Sequence, residues 1–300
     1  MTTSSVGFAP MVSPLLADLF ASHRTHLLSV AYRLTGSVGD AEEAVQESWL
    51  HLAGVHQSEI DELSVWLVGE VSGICLDHLR NAATRRETYA GQWLPEPIVS
   101  VAGRPRELDA LVGADGSRLA AMVGLDALTP PQRVALVLHD MLGMAFDRIA
   151  EILGVSADAA SEFVAQARSA EVAEPVAGDE HDRTLGRLLA ALAADDPAAV
   201  VATVHPRASF TVDSGTETGV AVEGQQPVAD LLIARWREHD LTPGLEFALV
   251  AVNGRSGLIS LDPNSPFGRP VRILGFTVED DMIRAVYDFA NPRKLSGARP

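Results

Sequence analysis

The chain has 300 residues, 47% of them hydrophobic, with a mean hydropathy of +0.13. That is enough apolar surface for two or three folded domains and excludes wholesale disorder. Forty acidic residues against 23 basic ones give a formal charge of −17, so any nucleic-acid surface must be built locally against an unfavourable overall field.

No run approaches the roughly 18 apolar residues of a membrane helix. The opening MTTSSVGFAPMVSP lacks the basic and apolar regions of a signal peptide. The lone cysteine, Cys75, can form no internal disulfide and reads as a buried structural thiol. A cytoplasmic protein without a membrane partner is expected.

Leu16, Leu19, Phe20, His23, Leu27, Val30 and Leu34 fall at helical spacing, and Gly36 stops that first helix. In VGDAEEAVQESWLHLAG, Asp40 is the expected N-cap, with Glu43 three residues on. Ala44, Val45 and Trp49 form the apolar face, and Glu42, Glu43, Gln46 and Glu47 lie on or beside the other. A third helix is expected from Glu62 to Arg86, with Trp66, Leu67, Val71, Ile74, Cys75 and Leu79 as its apolar stripe. Arg80, Arg85 and Arg86 are the basic cluster of this block. Beside Trp66 they suit capture of a single strand, or equally a solvated helix end that complements the macrodipole.

Pro95, Pro97 and Pro105 mark a linker, yet Trp93-Leu94-Pro95-Glu96-Pro97 is too apolar for a passive one. Helices resume near Ser117. FDRIAEILGVSADAASEFVAQAR fits a helix-turn-helix: Ile149, Leu153, Val155, Ala160 and Phe163 fall where the two helices meet. Ala150 is small at the crossing, Gly154 tolerates the turn, and Ser156 caps the second helix. From Ala157 to Glu171 that helix offers Gln166 and Arg168 against Asp158, Glu162 and Glu171, a thin charge for a DNA-reading element.

A second linker, AEPVAGDEHD, precedes a change of pattern. Helices after Asp182 lead into ASFTVDS, GLEFALVAV, RSGLISL, RPVRILGFTV and MIRAVYDFA, interrupted by the helix GQQPVADLLIARWREHD. This implies an α+β domain with an antiparallel sheet. Its candidate polar pocket residues are His205, Asp213, Trp236, Tyr287 and Asp288, able to do acid–base chemistry only if they converge. The nine histidines lack metal-ligand spacing and no Gly-rich phosphate loop occurs, so no metal or other cofactor is expected.

LLSVAYRLTGSVGDAEEAVQESWLHL, SVWLVGEVSGICLDHLRNAATRRETY and LDALTPPQRVALVLHDMLGMAFDRIAEILGVS together resemble the extracytoplasmic-function sigma factors of the sigma-70 family. YAGQWLPEPIV and the terminal NPRKL resemble the subgroup that carries a SnoaL-like domain. The resemblance implies two all-α sigma domains, the second with the helix-turn-helix, followed by a cone-shaped α+β SnoaL/NTF2-like domain. Its segments are a region 2 domain (12–90), a linker (91–116), a region 4 domain (117–173) and the SnoaL-like domain (182–296).

It further implies core RNA polymerase as partner at Asp40, Glu43, Gln46, Glu47 and Trp49. Promoter DNA would be met at Trp66, Arg80, Arg85, Arg86, Ser156, Gln166 and Arg168. The C-terminal domain would act through intramolecular contact with the sigma core. Where relatives tend to carry arginine, this chain has Gly73 and His78, and Ser161, Gln166, Ser169, Ala170 and Glu171 replace frequent basic residues of the recognition helix. The expected function is therefore an alternative, non-enzymatic sigma factor regulated by its own C-terminal domain. The alternatives are a sigma-like interaction module without promoter recognition, or a pocket-containing ligand-binding or enzymatic protein.

Overall fold

The computed structural model describes residues 14–56, 60–86, 94–100, 118–168, 178–215, 221–241, 244–262, 264 and 268–296. The first block forms α1 (Pro14–Thr35), α2 (Val38–Gly54) and α3 (Leu63–Arg86). Gly36 adopts φ +70° behind α1, and a Cβ there would stand 3.3 Å from the Arg133 guanidinium and 3.5 Å from the Pro95 ring. The N-cap of α2 is Ser37, not Asp40: its hydroxyl oxygen accepts the Asp40 N–H at 3.2 Å. Asp40 already lies inside the first turn, where its charge favours the positive end of the helix.

The second block forms α4 (Leu119–Asp126), α5 (Pro130–Leu136), a π-helical turn Val137–Met141, α6 (Phe146–Leu153) and α7 (Ala157–Arg168). Gly154 takes φ +69° at the turn between α6 and α7, and Ser156 caps α7 by accepting the Ala159 N–H at 3.2 Å. Ile149, Ala150, Leu153 and Ala160 are buried as expected. Val155 instead stands 38% exposed in the turn. Val164 and Ala167 fill the seam because they follow Ala160 at steps of four and three.

The two helical blocks share one apolar core, in which Leu27, Leu67 and Val71 meet Val134, Leu138 and Ile149. Arg133 of α5 is buried at the junction. Its Nε donates to the Arg33 carbonyl at 3.3 Å, and its Nη1 pairs with Asp126 at 3.1 Å. A cation held against the carboxyl end of α1 is favoured by the helix dipole.

The last block comprises α8 (Gly178–Ala193), α9 (Pro197–Thr203), β2 (Val204–Asp213), β3 (Ala221–Glu223) and α10 (Gln225–Leu241). It continues with β4 (Glu246–Val252), β5 (Arg255–Leu261), β6 (Pro270–Glu279), β7 (Met282–Phe289) and α11 (Pro292–Leu295). Two expectations are corrected here. Gly178–Asp182 is the first turn of α8 rather than linker, since Asp179 and Glu180 suit a helix N-terminus. The sheet is mixed, because β2 runs parallel to β7 after the α10 connection and three hairpins.

A seventh strand, β1 (Val99–Ser100), comes from the expected linker and pairs antiparallel with β4, giving the order β1-β4-β5-β6-β7-β2-β3. Alternation along the strands makes two apolar faces. One, with Phe210, Leu258, Phe276 and Val286, is covered by α8, α9 and α10. The other, with Ile259, Ile273, Tyr287 and Phe289, is covered by Leu94, Leu119 and Leu295. Gly275 lets the second helical block approach, for a Cβ there would collide with Leu119 Cδ1. Among the described residues no helix is long and apolar enough to cross a membrane.

Candidate polymerase and promoter surfaces

The residues expected to meet polymerase all lie on α2 but divide between two of its faces. Gln46 and Trp49 line a groove of about 480 Å³ between α1 and α2, with Phe20, Arg24, Glu42 and Val45. Trp49 tilts against Phe20 with ring centroids 5.0 Å apart. Leu15, Leu19 and Leu50 of the same two helices expose large apolar side chains, a feature of contact surfaces. Asp40, Glu43 and Glu47 occupy the ridge toward α3, where Glu47 lies 3.8 Å from His51 and His51 lies 2.5 Å from Glu70.

The residues expected to meet DNA are more constrained. Trp66 is half-buried against the shared core, and Arg80 reaches Asp77 of its own helix at 3.4 Å. Arg85 and Arg86 close α3, but their side chains lie outside the described residues, as do Ser169, Ala170, Glu171 and Trp93. In α7, Ser156 is spent on the cap. Gln166 donates to Glu162 at 3.0 Å and accepts from Gln132 at 2.9 Å. Arg168 forks onto Asp140 of the π-helical turn, with Nε 3.1 Å from Oδ2 and Nη2 against Oδ1. The basic side chain of this helix is thus already held by an acidic neighbour.

The five polar residues expected in a pocket do not converge. His205 accepts the Arg207 N–H at 3.0 Å within its own strand. Tyr287 lies on the sheet face that Leu94 and Leu119 cover, with burial raising its pKa. Asp288 and Trp236 lie on the opposite face. Asp288 accepts from Arg235 at 2.9 Å and from Arg272; burial pushes its carboxyl up while the two arginines oppose. Trp236 stacks on Phe247 at 5.7 Å.

Asp213 has a structural part that residue spacing did not disclose. Its Oδ2 accepts the Leu94 N–H at 3.2 Å and the Lys294 ammonium at 2.5 Å; that ammonium also donates to the Leu94 carbonyl. Asp213 Oδ1 accepts from Asn291 at 3.2 Å and from the Gly215 N–H at 3.1 Å. Lys294, the chain's only lysine, is therefore buried in a clasp that seizes the start of the Leu94–Ile98 segment.

Two residues on, Glu96 is held by the first helical block. Its N–H donates to the Gly36 carbonyl at 2.7 Å, its carbonyl accepts the Tyr32 hydroxyl at 2.7 Å, and its carboxylate accepts the Val38 N–H at 2.8 Å. Glu96 thereby caps α2 from outside, and burial raises its pKa above the usual carboxylate range. Ile98 exchanges two bonds with Asn253, at 3.0 Å to the side chain and 2.8 Å from the backbone. The residues Leu94 to Ile98 are the joint between the first block and the last.

A three-helix block, a helix-turn-helix block and an α+β block joined in this way define a sigma factor of the sigma-70 family. Residues 19–85 match Sigma-70 region 2 and residues 118–170 match Sigma-70 region 4. The chain is 42% identical over 292 residues to the ECF RNA polymerase sigma factor SigJ of Mycobacterium tuberculosis, covering 93% of each protein. Against the probable ECF sigma factor SigI of that species it is 25% identical over 288 residues, covering 93% and 94%. The crystal structure of M. tuberculosis SigJ superposes with a TM-score of 0.77 at 39% identity, over 94% of this chain and 99% of that one. The chain belongs to the extracytoplasmic-function sigma factors: an alternative factor of transcription initiation whose partners are core RNA polymerase and promoter DNA, with a SnoaL-like domain at its carboxyl end.

Proposed function

We propose that this sigma factor rests in a closed form that its own C-terminal domain stabilises, and that engagement of polymerase opens it. The observation that carries this reading is the Leu94–Ile98 joint, which Lys294 and Asn253 of the last block hold against Tyr32, Gly36 and Val38 of the first. Size supports it. The minus-ten and minus-thirty-five elements lie about 25 base pairs, or roughly 85 Å, apart at 3.4 Å per pair. A compact 300-residue chain is only about 50 Å across. While the two helical blocks share one core, they cannot both reach their elements.

In this reading core polymerase docks on Gln46 and Trp49 in the α1–α2 groove and on the Asp40, Glu43 and Glu47 ridge. Trp66, Arg80, Arg85 and Arg86 meet the minus-ten element, and Ser156, Gln166 and Arg168 the minus-thirty-five element. The working segments are 12–90, 91–116, 117–173 and 182–296. The factor acts in the cytoplasm and without a catalytic step; the dispersal of His205, Asp213, Trp236, Tyr287 and Asp288 supports the latter.

Run-off transcription from a genomic promoter library, with core polymerase and either the full chain or its Asn253→Gly variant, tests the proposal. Specific transcripts are expected from both, with more from the variant. Failure of both proteins to yield any transcript while still binding polymerase would refute promoter reading.

A further inference from the structure

Asp40 and Glu43 of α2 and His78 of α3 each bring one ligand atom to a common point, the three atoms lying within 4.8 Å of one another. The two carboxylates leave the same face of α2 because they are three residues apart. The imidazole arrives across the α2–α3 packing. His78 Nδ1 is shielded from solvent and meets no hydrogen-bond partner. Among the described residues no arginine or lysine pairs with either carboxylate. The negative charge is felt nearby: the Cys75 thiol is pushed up by burial and further by Asp40. Among the described residues, two carboxylates without a cation beside an imidazole that keeps one ring nitrogen unpartnered form a set that a divalent ion would satisfy.

We infer that Asp40, Glu43 and His78 bind a divalent first-row transition metal ion, zinc in preference to manganese or iron(II). An imidazole disfavours magnesium and calcium, which take oxygen donors, and zinc outranks manganese and iron(II) for the same mixed set. Donors on a tetrahedral ion with bonds of about 2.1 Å sit about 3.4 Å apart, so side-chain rotations of Asp40 and Glu43 bring the three atoms into range. Three protein ligands leave a fourth position for water. Bound there, the ion ties the first turns of α2 to α3. Residue spacing could not disclose the site, since its ligands come from two helices, and His78 stands where relatives tend to carry arginine. Asp40 and Glu43 also belong to the ridge proposed to meet polymerase, so the test is made on the free chain.

The test is calorimetric titration of the metal-stripped full chain with zinc chloride at neutral pH, together with the visible spectrum of the cobalt(II) form. One ion per chain at micromolar affinity or tighter is expected. His78→Gln and Glu43→Gln should each weaken it by at least about tenfold and shift the cobalt bands, while His51→Gln leaves both unchanged. Glu43 is exposed, so Glu43→Gln keeps the test valid if the His78 variant does not fold. Binding no tighter than about millimolar, or binding indifferent to both His78→Gln and Glu43→Gln, overturns the site.

Discussion

The side-chain amide of Asn253 donates a 2.9 Å hydrogen bond to the hydroxyl of Tyr32, 221 residues earlier in the chain. The Tyr32 hydroxyl in turn donates to the Glu96 carbonyl, and the Asn253 side-chain carbonyl oxygen accepts from the Ile98 N–H. One buried side chain thus reads the linker and the first helix together. Asn253 has φ +48°, so Asn253→Gly preserves the turn while removing the reader. Each buried group left unpaired costs about 1–3 kcal/mol. Asn253→Gly should lower the melting temperature by several degrees, and Tyr32→Phe by less, as calorimetry would show.

The Lys294–Asp213 pair predicts a non-additive pattern. Removing the ammonium leaves a buried carboxylate without its counter-charge, at about 3–5 kcal/mol. Lys294→Met should therefore destabilise the chain in urea titrations more than the double variant with Asp213→Asn does. Equal losses in the two proteins would mean that the pair does not hold the clasp.

Arg168 makes a prediction about DNA. Freed from Asp140, its guanidinium becomes available to a phosphate. Asp140→Asn should tighten promoter binding in holoenzyme and steepen the dependence of log affinity on log salt by about one contact, a slope change near −0.9. An unaltered slope would place Arg168 away from the backbone.

The pH dependence of stability follows from His181, whose Nε2–H donates to the Ser256 carbonyl at 2.9 Å. Burial lowers its pKa below 6.5. The unfolded chain then binds the proton more readily than the folded one, so this contribution is full above about 6.5 and is lost as pH falls below it. Melting temperature should drop between pH 7 and pH 5, and His181→Gln should flatten that part of the curve.

Much of the fold was legible because helical spacing, Gly36, Gly154 and Ser156 each have one local structural consequence. The five strand segments read equally well from alternation, and α10 as the helix that interrupts them. The clasp did not. Asp213 and Lys294 are ordinary polar residues in sequence, and their meaning depends on a contact 81 residues long. The apolar Leu94-Pro95 run signalled that the linker is not passive, but not what covers it. The Asn253-Gly254 pair marks a hairpin turn, a signal that could have directed attention to this residue. Arg168 was legible as scarce positive charge; its capture by Asp140 arises from the π-helical turn, which no periodicity announces.

The most direct measurement uses the chain's single lysine as a reporter of the clasp. Acylation of Lys294 by an amine-reactive ester, followed by mass spectrometry, reads whether its ammonium is buried. The closed form predicts slow labelling in the free protein and rapid labelling once core polymerase is bound. Equally slow labelling in a holoenzyme that initiates transcription would show that the clasp stays shut during function, and would contradict the account.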